Sequence, residues 1–160
     1  MRPIVPNLLF DTQAEEAVAF YVGLFPDSRV VTTVPYGPEG PGLEGSTMLV
    51  VFELNGQRFT AINGGPQFPF TEAVSFEIPC ADQAEVDRLW AALTTDGGEE
   101  GQCGWCKDRY GLSWQVVPDG LEELMRSGDP ERVRRATRAM FGMRKLDIAA
   151  LRAAADGVTA

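Results

Sequence analysis

Cys-Gly-Trp-Cys-Lys-Asp-Arg-Tyr-Gly-Leu-Ser-Trp-Gln-Val-Val-Pro, residues 103–118, reads as a tight glycine-containing turn feeding a strand. That strand carries one polar side chain, Gln115, among apolar neighbours. Upstream, residues 73–80 read as another strand, and Asp82 with Glu85 has the spacing of a capping box. Apolar residues then recur at Val86, Leu89, Trp90 and Leu93, the period of one helix face, until Gly97-Gly98 stops it.

The same order occurs once earlier. Residues 3–10 read as a strand, Thr12 with Glu15 as a capping box, and Ala17, Phe20, Tyr21 and Leu24 as the stripe, closed by Pro26-Asp27. The caps are offset by 70 residues and the stripes by 69. Two copies predict a duplicated strand–helix–strands unit, since a solenoid needs more repeats. Between the helices, strands 47–54 and 57–63 flank Asn55-Gly56, the strongest short signal for a type I′ hairpin. A two-residue loop pairs residues whose numbers sum to 111, so Glu53 faces Arg58, Phe52 faces Phe59 and Val50 faces Ala61. Asn63 then shares a face with Phe59 and Ala61. Residues 35–45, with three Pro and four Gly, form a mobile loop that is either a plain connection or a cover for a ligand.

Beyond residue 118 the pattern is helical. Asp119 with Glu122 predicts a short helix ending at Gly128; Asp129-Pro130 starts a second, with Val133, Ala136, Met140 and Phe141 as its stripe. Asp147 caps a third, running to about Ala155. These helices are expected to pack on the sheet exterior or against a partner subunit.

A chain of 160 residues makes one domain or two small fused modules, with enough core to need no staples. No apolar run reaches the roughly 20 residues that span a bilayer, and Met1-Arg2-Pro3 has no signal-peptide character, so a cytoplasmic protein is expected. Residues 1–120 hold 6 basic and 17 acidic side chains, and residues 121–160 hold 8 and 6. So acidic a body repels phosphate backbones, which argues against nucleic acid as partner. Three cysteines do not suit a disulfide scaffold. Cys103 and Cys106 form a Cys-x-x-Cys, but a turn and strand follow it rather than the helix that would lower a thiol pKa. With no histidine in the chain, two thiols are half a zinc site.

The duplicated unit, its two helices and the 103–118 hairpin together resemble the paired βαβββ modules of the glyoxalase/bleomycin-resistance (vicinal oxygen chelate) superfamily. The resemblance covers about residues 3–118 and looks closest to the PhnB-like proteins, labelled 3-demethylubiquinone-9 3-methyltransferase. It rests on an ordered set: Asn63-Gly64-Gly65, Asp82-Gln83 with Asp87, Cys103-Gly104-Trp105, Lys107-Asp108 and Ser113-Trp114-Gln115; Met143-Arg144-Lys145-Leu146-Asp147-Ile148 also fits. The implied fold is α+β: modules 3–70 and 71–118 forming a curved mixed sheet, with a helical extension 119–160, fused as one domain.

In the superfamily's metalloenzymes, strands of the concave face supply four ligands, and the position matching Gln115 is a metal-binding carboxylate. Strand alternation here leaves Ser75 and Glu77 for the concavity, with Val74, Phe76 and Ile78 facing the helix. On 112–117 it leaves Ser113, Gln115 and Val117; Asn7 is the polar candidate on the first strand, with Pro6 the position if the register shifts, and Asn63 completes the set. Asn7, Asn63, Ser75 and Gln115 offer no imidazole and no carboxylate. Neutral carboxamides bind transition metals poorly but hydrogen-bond small polar ligands well, so a metal-free, cofactor-free ligand site is expected. The same side chains could instead only satisfy buried backbone groups. Trp105 could stack on the ligand, or be core. Glu77, the one inward carboxylate, could act as a general base in a partly apolar concavity, or be an ordinary salt-bridged residue. Lys107 and Asp108 read as solvent-exposed charges.

The expected role is small-molecule binding by a homodimer, because paired curved sheets cover open edges against a partner. The alternatives are an enzyme of the same fold, glyoxalase- or dioxygenase-like or the methyl transfer of the family label, and a module that sequesters a drug-like ligand. No Gly-x-Gly loop opens a helix after a predicted strand, so the methyltransferase label finds no nucleotide-type motif.

Overall fold

The computed structural model describes residues 3–158. Met1 and Arg2, part of the expected leaderless N-terminus, lie outside the described residues, as do the last two positions of the expected extension. The chain divides into two compact units between Pro69 and Phe70. Among the described residues no helix is long and apolar enough to cross a membrane.

In the first unit, β1 (Asn7–Phe10) and α1 (Ala14–Leu24) precede β2 (Arg29–Pro35), β3 (Thr47–Leu54) and β4 (Gln57–Asn63). The sheet order is β1-β4-β3-β2, with β1 parallel to β4 and the other pairs antiparallel. Asn55 and Gly56 turn the hairpin with φ of 46° and 76°, the left-handed values a type I′ turn requires. The expected register holds: Glu53 faces Arg58, Phe52 faces Phe59, and Val50 faces Ala61.

The second unit repeats this plan. After β5 (Phe76–Cys80) and α2 (Gln83–Thr94) come β6 (Glu99–Glu100), β7 (Trp105–Lys107) and β8 (Ser113–Pro118), in the order β5-β8-β7-β6 with β5 parallel to β8. The duplication expected from the two caps and stripes is thus a repeated topology. Asp82 caps α2 by accepting the Glu85 N–H at 2.8 Å, and Glu85 returns a carboxylate to the Ala81 N–H. Val86, Leu89, Trp90 and Leu93 are buried as expected. Removing each large apolar side chain from water is worth about 1.5–3 kcal/mol.

Three local expectations fail. The first strand starts at Asn7, four residues later than expected, and the fifth at Phe76, three later; Val74 is 65% exposed rather than facing a helix. Thr12 does not cap α1: Gln13 is the N-cap and its side chain makes no capping bond, while Asn63 Oδ1, 49 residues away, accepts the Ala14 N–H. The buried face of α1 is accordingly Ala14, Ala17, Val18 and Tyr21, with Phe20 and Leu24 only half-buried. The loop after β2 is not a loose connection. Cβ atoms added at Gly40 or Gly42 would strike the Tyr36 ring, so this glycine-rich stretch wraps an aromatic that is 8% exposed.

The extension forms α3 (Leu121–Met125), α4 (Pro130–Phe141) and α5 (Ile148–Ala155). Gly120, in the left-handed region, replaces the expected Asp119 as N-cap of α3, whereas Asp129 and Asp147 cap α4 and α5 as expected. Leu124, Ala136, Leu146, Leu151 and Ala155 make a small separate core, and Phe141, expected in the stripe, is 68% exposed. Within the second unit the segment before α5 docks as a strap. Cys103 and Gly104 donate N–H bonds to Met143 O and Arg144 O at 2.8 and 2.7 Å. The Gln83 carboxamide clasps the same segment, donating to Leu146 O and accepting from Ile148 N–H.

Candidate functional site

In the second sheet alternation sorts the side chains cleanly. Cys106, Trp114, Val116, Ile78 and Cys80 are buried on the face covered by α2. The opposite face presents two rows. Trp105, Gln115 and Glu77 lie side by side across β7, β8 and β5. Glu99, Lys107 and Ser113 form the next row across β6, β7 and β8. Three of the expected site residues are therefore neighbours, and Ser75, just before β5, joins them by accepting a 2.9 Å bond from Gln115 Nε2.

A cavity of about 110 Å³ opens beside these rows, lined by Glu72, Glu99, Trp105, Lys107 and Ser113 among others. Ser113 is 1% exposed, and its hydroxyl has no hydrogen-bond partner among the described residues. An unsatisfied buried hydroxyl is costly, so it is poised to take a bond from whatever enters. Lys107 is held between Glu72 at 2.8 Å and Glu99 at 3.4 Å. The Glu72 hydrogen bond is the main cause that raises the Lys107 pKa, and the same bond lowers that of Glu72. Glu77 is exposed rather than set in an apolar concavity. Trp105 and Gln115 are half-buried.

The residue missed as a site organiser is Asp108, expected at the surface but only 2% exposed. Its Oδ1 accepts the Tyr110 and Leu112 N–H groups, and its Oδ2 accepts Trp114 Nε1 at 2.8 Å. One carboxylate thus closes the turn between β7 and β8 and fixes the residue before Gln115. The signal was in the sequence: an Asp followed by Gly111 at the left-handed position is turn chemistry.

Asn7 and Asn63 belong to the first unit and face opposite ways. Asn7 is exposed, on the face away from Leu8 and Phe10. Asn63 lies with buried Phe59 and Ala61 under α1, where Oδ1 receives the Ala14 N–H at 2.8 Å and Nδ2 donates to Thr47 O at 3.0 Å. Its own carbonyl accepts the Tyr36 hydroxyl at 2.5 Å. These bonds commit Asn63 to local structure, although it also edges a cavity of about 490 Å³ beneath the 37–45 loop.

The donor set does not fit a transition metal. The open face of the second sheet offers a carboxamide, hydroxyls and carboxylates but no imidazole or thiolate, Glu72 and Glu99 being paired with Lys107, and no group of three His, Cys, Asp or Glu that could hold an ion occurs among the described residues. The cysteines do not make a redox pair either. All three are free; burial pushes the Cys106 thiol to about 12 and the Cys80 thiol to about 11, away from thiolate.

A family model described as 3-demethylubiquinone-9 3-methyltransferase matches residues 2–117. Among solved structures, a Bacillus cereus PhnB protein described with the same methyltransferase name is 34% identical. It covers 73% of this chain and 99% of its own, with a TM-score of 0.67. Protein PA1353 of Pseudomonas aeruginosa is 22% identical, covers 74% of this chain and 98% of its own, and has a TM-score of 0.60. The fosfomycin resistance protein FosX of Listeria monocytogenes, solved with Mn(II) and sulfate, is 14% identical, covers 80% and 98%, and has a TM-score of 0.56, a likeness of fold alone. Among curated proteins none matches significantly.

Proposed function

The chain belongs to the 3-demethylubiquinone-9 3-methyltransferase (PhnB-like) family, and on that premise we propose that it binds a small organic molecule without a metal ion. The site is the open face of the second sheet. Trp105 supplies a flat apolar wall, Gln115 a carboxamide at the centre, and Ser75, Ser113 and Glu77 the surrounding polar groups. The observation that carries this reading is the buried, unpartnered Ser113 hydroxyl at a cavity bordered by Trp105. Structural polar groups are normally satisfied within the fold, as those of Asn63 are, and this one is not.

Binding without turnover is tested by thermal unfolding against a panel of small aromatic and polar compounds, followed by mass spectrometry of the recovered ligand. A ligand at a hundred times its Kd should add about 2.7 kcal/mol of stability and return unchanged, with no effect of chelator. Gln115→Leu should abolish the gain. Release of a chemically altered product would replace this reading with an enzyme in which exposed Glu77 is the candidate base. Consumption of S-adenosylmethionine would favour the methyl transfer in the family's name.

The proposal includes a homodimer. The outer strand β2 leaves one edge unpaired in its own sheet and exposes Val30 and Val31 by 48% and 41%. An apolar edge of this kind is stabilised by covering it.

A further inference from the structure

We infer that the ligand is an organic cation, an amine or amidine carried on a flat apolar body; this rests on the binding site proposed above. The face around Trp105 sets three carboxylates, Glu72, Glu77 and Glu99, against one ammonium, Lys107. Lys107 is itself consumed by Glu72 and Glu99, so it has little charge to offer an incoming anion. Glu77 is different: it has no ion-pair or hydrogen-bond partner among the described residues and stands in the same row as Gln115 and Trp105.

The hydrogen-bond inventory points the same way. Gln115 Nε2 donates one N–H to Ser75, which leaves the carboxamide oxygen and the second N–H to meet a ligand, and the oxygen is the group that takes a donor. That oxygen and the Glu77 carboxylate only accept, and the unpartnered Ser113 hydroxyl can accept as well as donate, so a molecule carrying N–H groups satisfies all three. Trp105 adds a π-face, which attracts a cation and tolerates any flat body. An anion would meet uncompensated Glu77 and lose affinity by like-charge repulsion. The site is therefore selective by charge before it is selective by shape.

Three indoles of nearly one shape separate the possibilities: tryptamine (cationic), 3-methylindole (neutral) and indole-3-acetate (anionic). Each is titrated into the full chain while the Trp105 indole N–H, assigned with Trp105→Phe, is followed by NMR. The expected order is tryptamine tightest, with indole-3-acetate weaker by about tenfold or more. Glu77→Gln should weaken tryptamine about fivefold and leave 3-methylindole unchanged, with an unaltered melting curve as the fold control. If indole-3-acetate binds as well as tryptamine, or Glu77→Gln leaves tryptamine unaffected, the charge inference fails and the site stands. If none of the three moves the Trp105 signal, the binding site itself is refuted.

Discussion

At the scale of single residues, two polar side chains that could pass for ligand groups are spent on the fold. Asn63 closes the N-terminus of α1 from across the chain, so Asn63→Ala should cost about 1–2 kcal/mol in urea unfolding, the value of a lost cap. Asn7→Ala, at an exposed position, should stay within about 0.5 kcal/mol. Asp108 organises its turn through three accepted bonds, and Asp108→Ala leaves their donors buried. A loss of about 3 kcal/mol or more is expected, with a shift in Trp114 fluorescence that the Asn63 variant lacks. The Asp108 turn had a local signal, but the role of Asn63 was not plain beforehand. Parity put Asn63 on its correct face, beside Phe59 and Ala61, but nothing local said that a helix 49 residues earlier would need that oxygen. Thr12 had the right spacing to cap and lost to this distant competitor.

At the scale of elements, the strap at residues 143–147 joins the extension to the second unit. Gly104 accepts this neighbour because it has no Cβ: one added there, at φ +84°, would lie 2.9 Å from both Val116 O and Leu146 Cδ1. Gly104→Ala should cost about 1–3 kcal/mol and speed amide exchange at residues 143–148 relative to α2. Two ion pairs add a dependence on pH. Hydrogen bonds from Lys145 and Gln83 hold Asp87, and those from Trp90 and Arg144 hold Glu100, below the ordinary carboxylate pKa. A folded-state pKa lowered in this way stabilises above the unfolded value and is lost as pH falls through the folded one. The urea midpoint should thus drop as pH is taken from about 6 to about 3, and Asp87→Asn with Glu100→Gln should flatten part of that drop.

At the scale of the whole molecule, the duplication was legible because each copy repeats a capping-box spacing, an apolar stripe and a stop, and these are local signals even though only the second box forms. Asn55-Gly56 made the hairpin register equally plain, since its φ values allow one loop geometry. Strand starts were less so: alternation ran on through residues 73–75, where no partner strand exists to hold them. Of the site, Gln115 and Glu77 followed from parity, Trp105 was placed beside them only by the β7–β8 register, and the unsatisfied Ser113 hydroxyl depends on packing and could not be read from residue order. Sedimentation velocity tests the proposed assembly, with a mass about twice the 17.4 kDa chain expected and a concentration-independent monomer contradicting it. The most direct test of the central claim is a titration followed through side-chain amide and indole NMR signals, using any compound that stabilises the protein. Trp105 and Gln115 should shift together, at the same ligand concentration with and without chelator, while the Asn63 amide stays still. Shifts centred on Asn63, or binding that disappears when divalent metal is removed, would contradict the account.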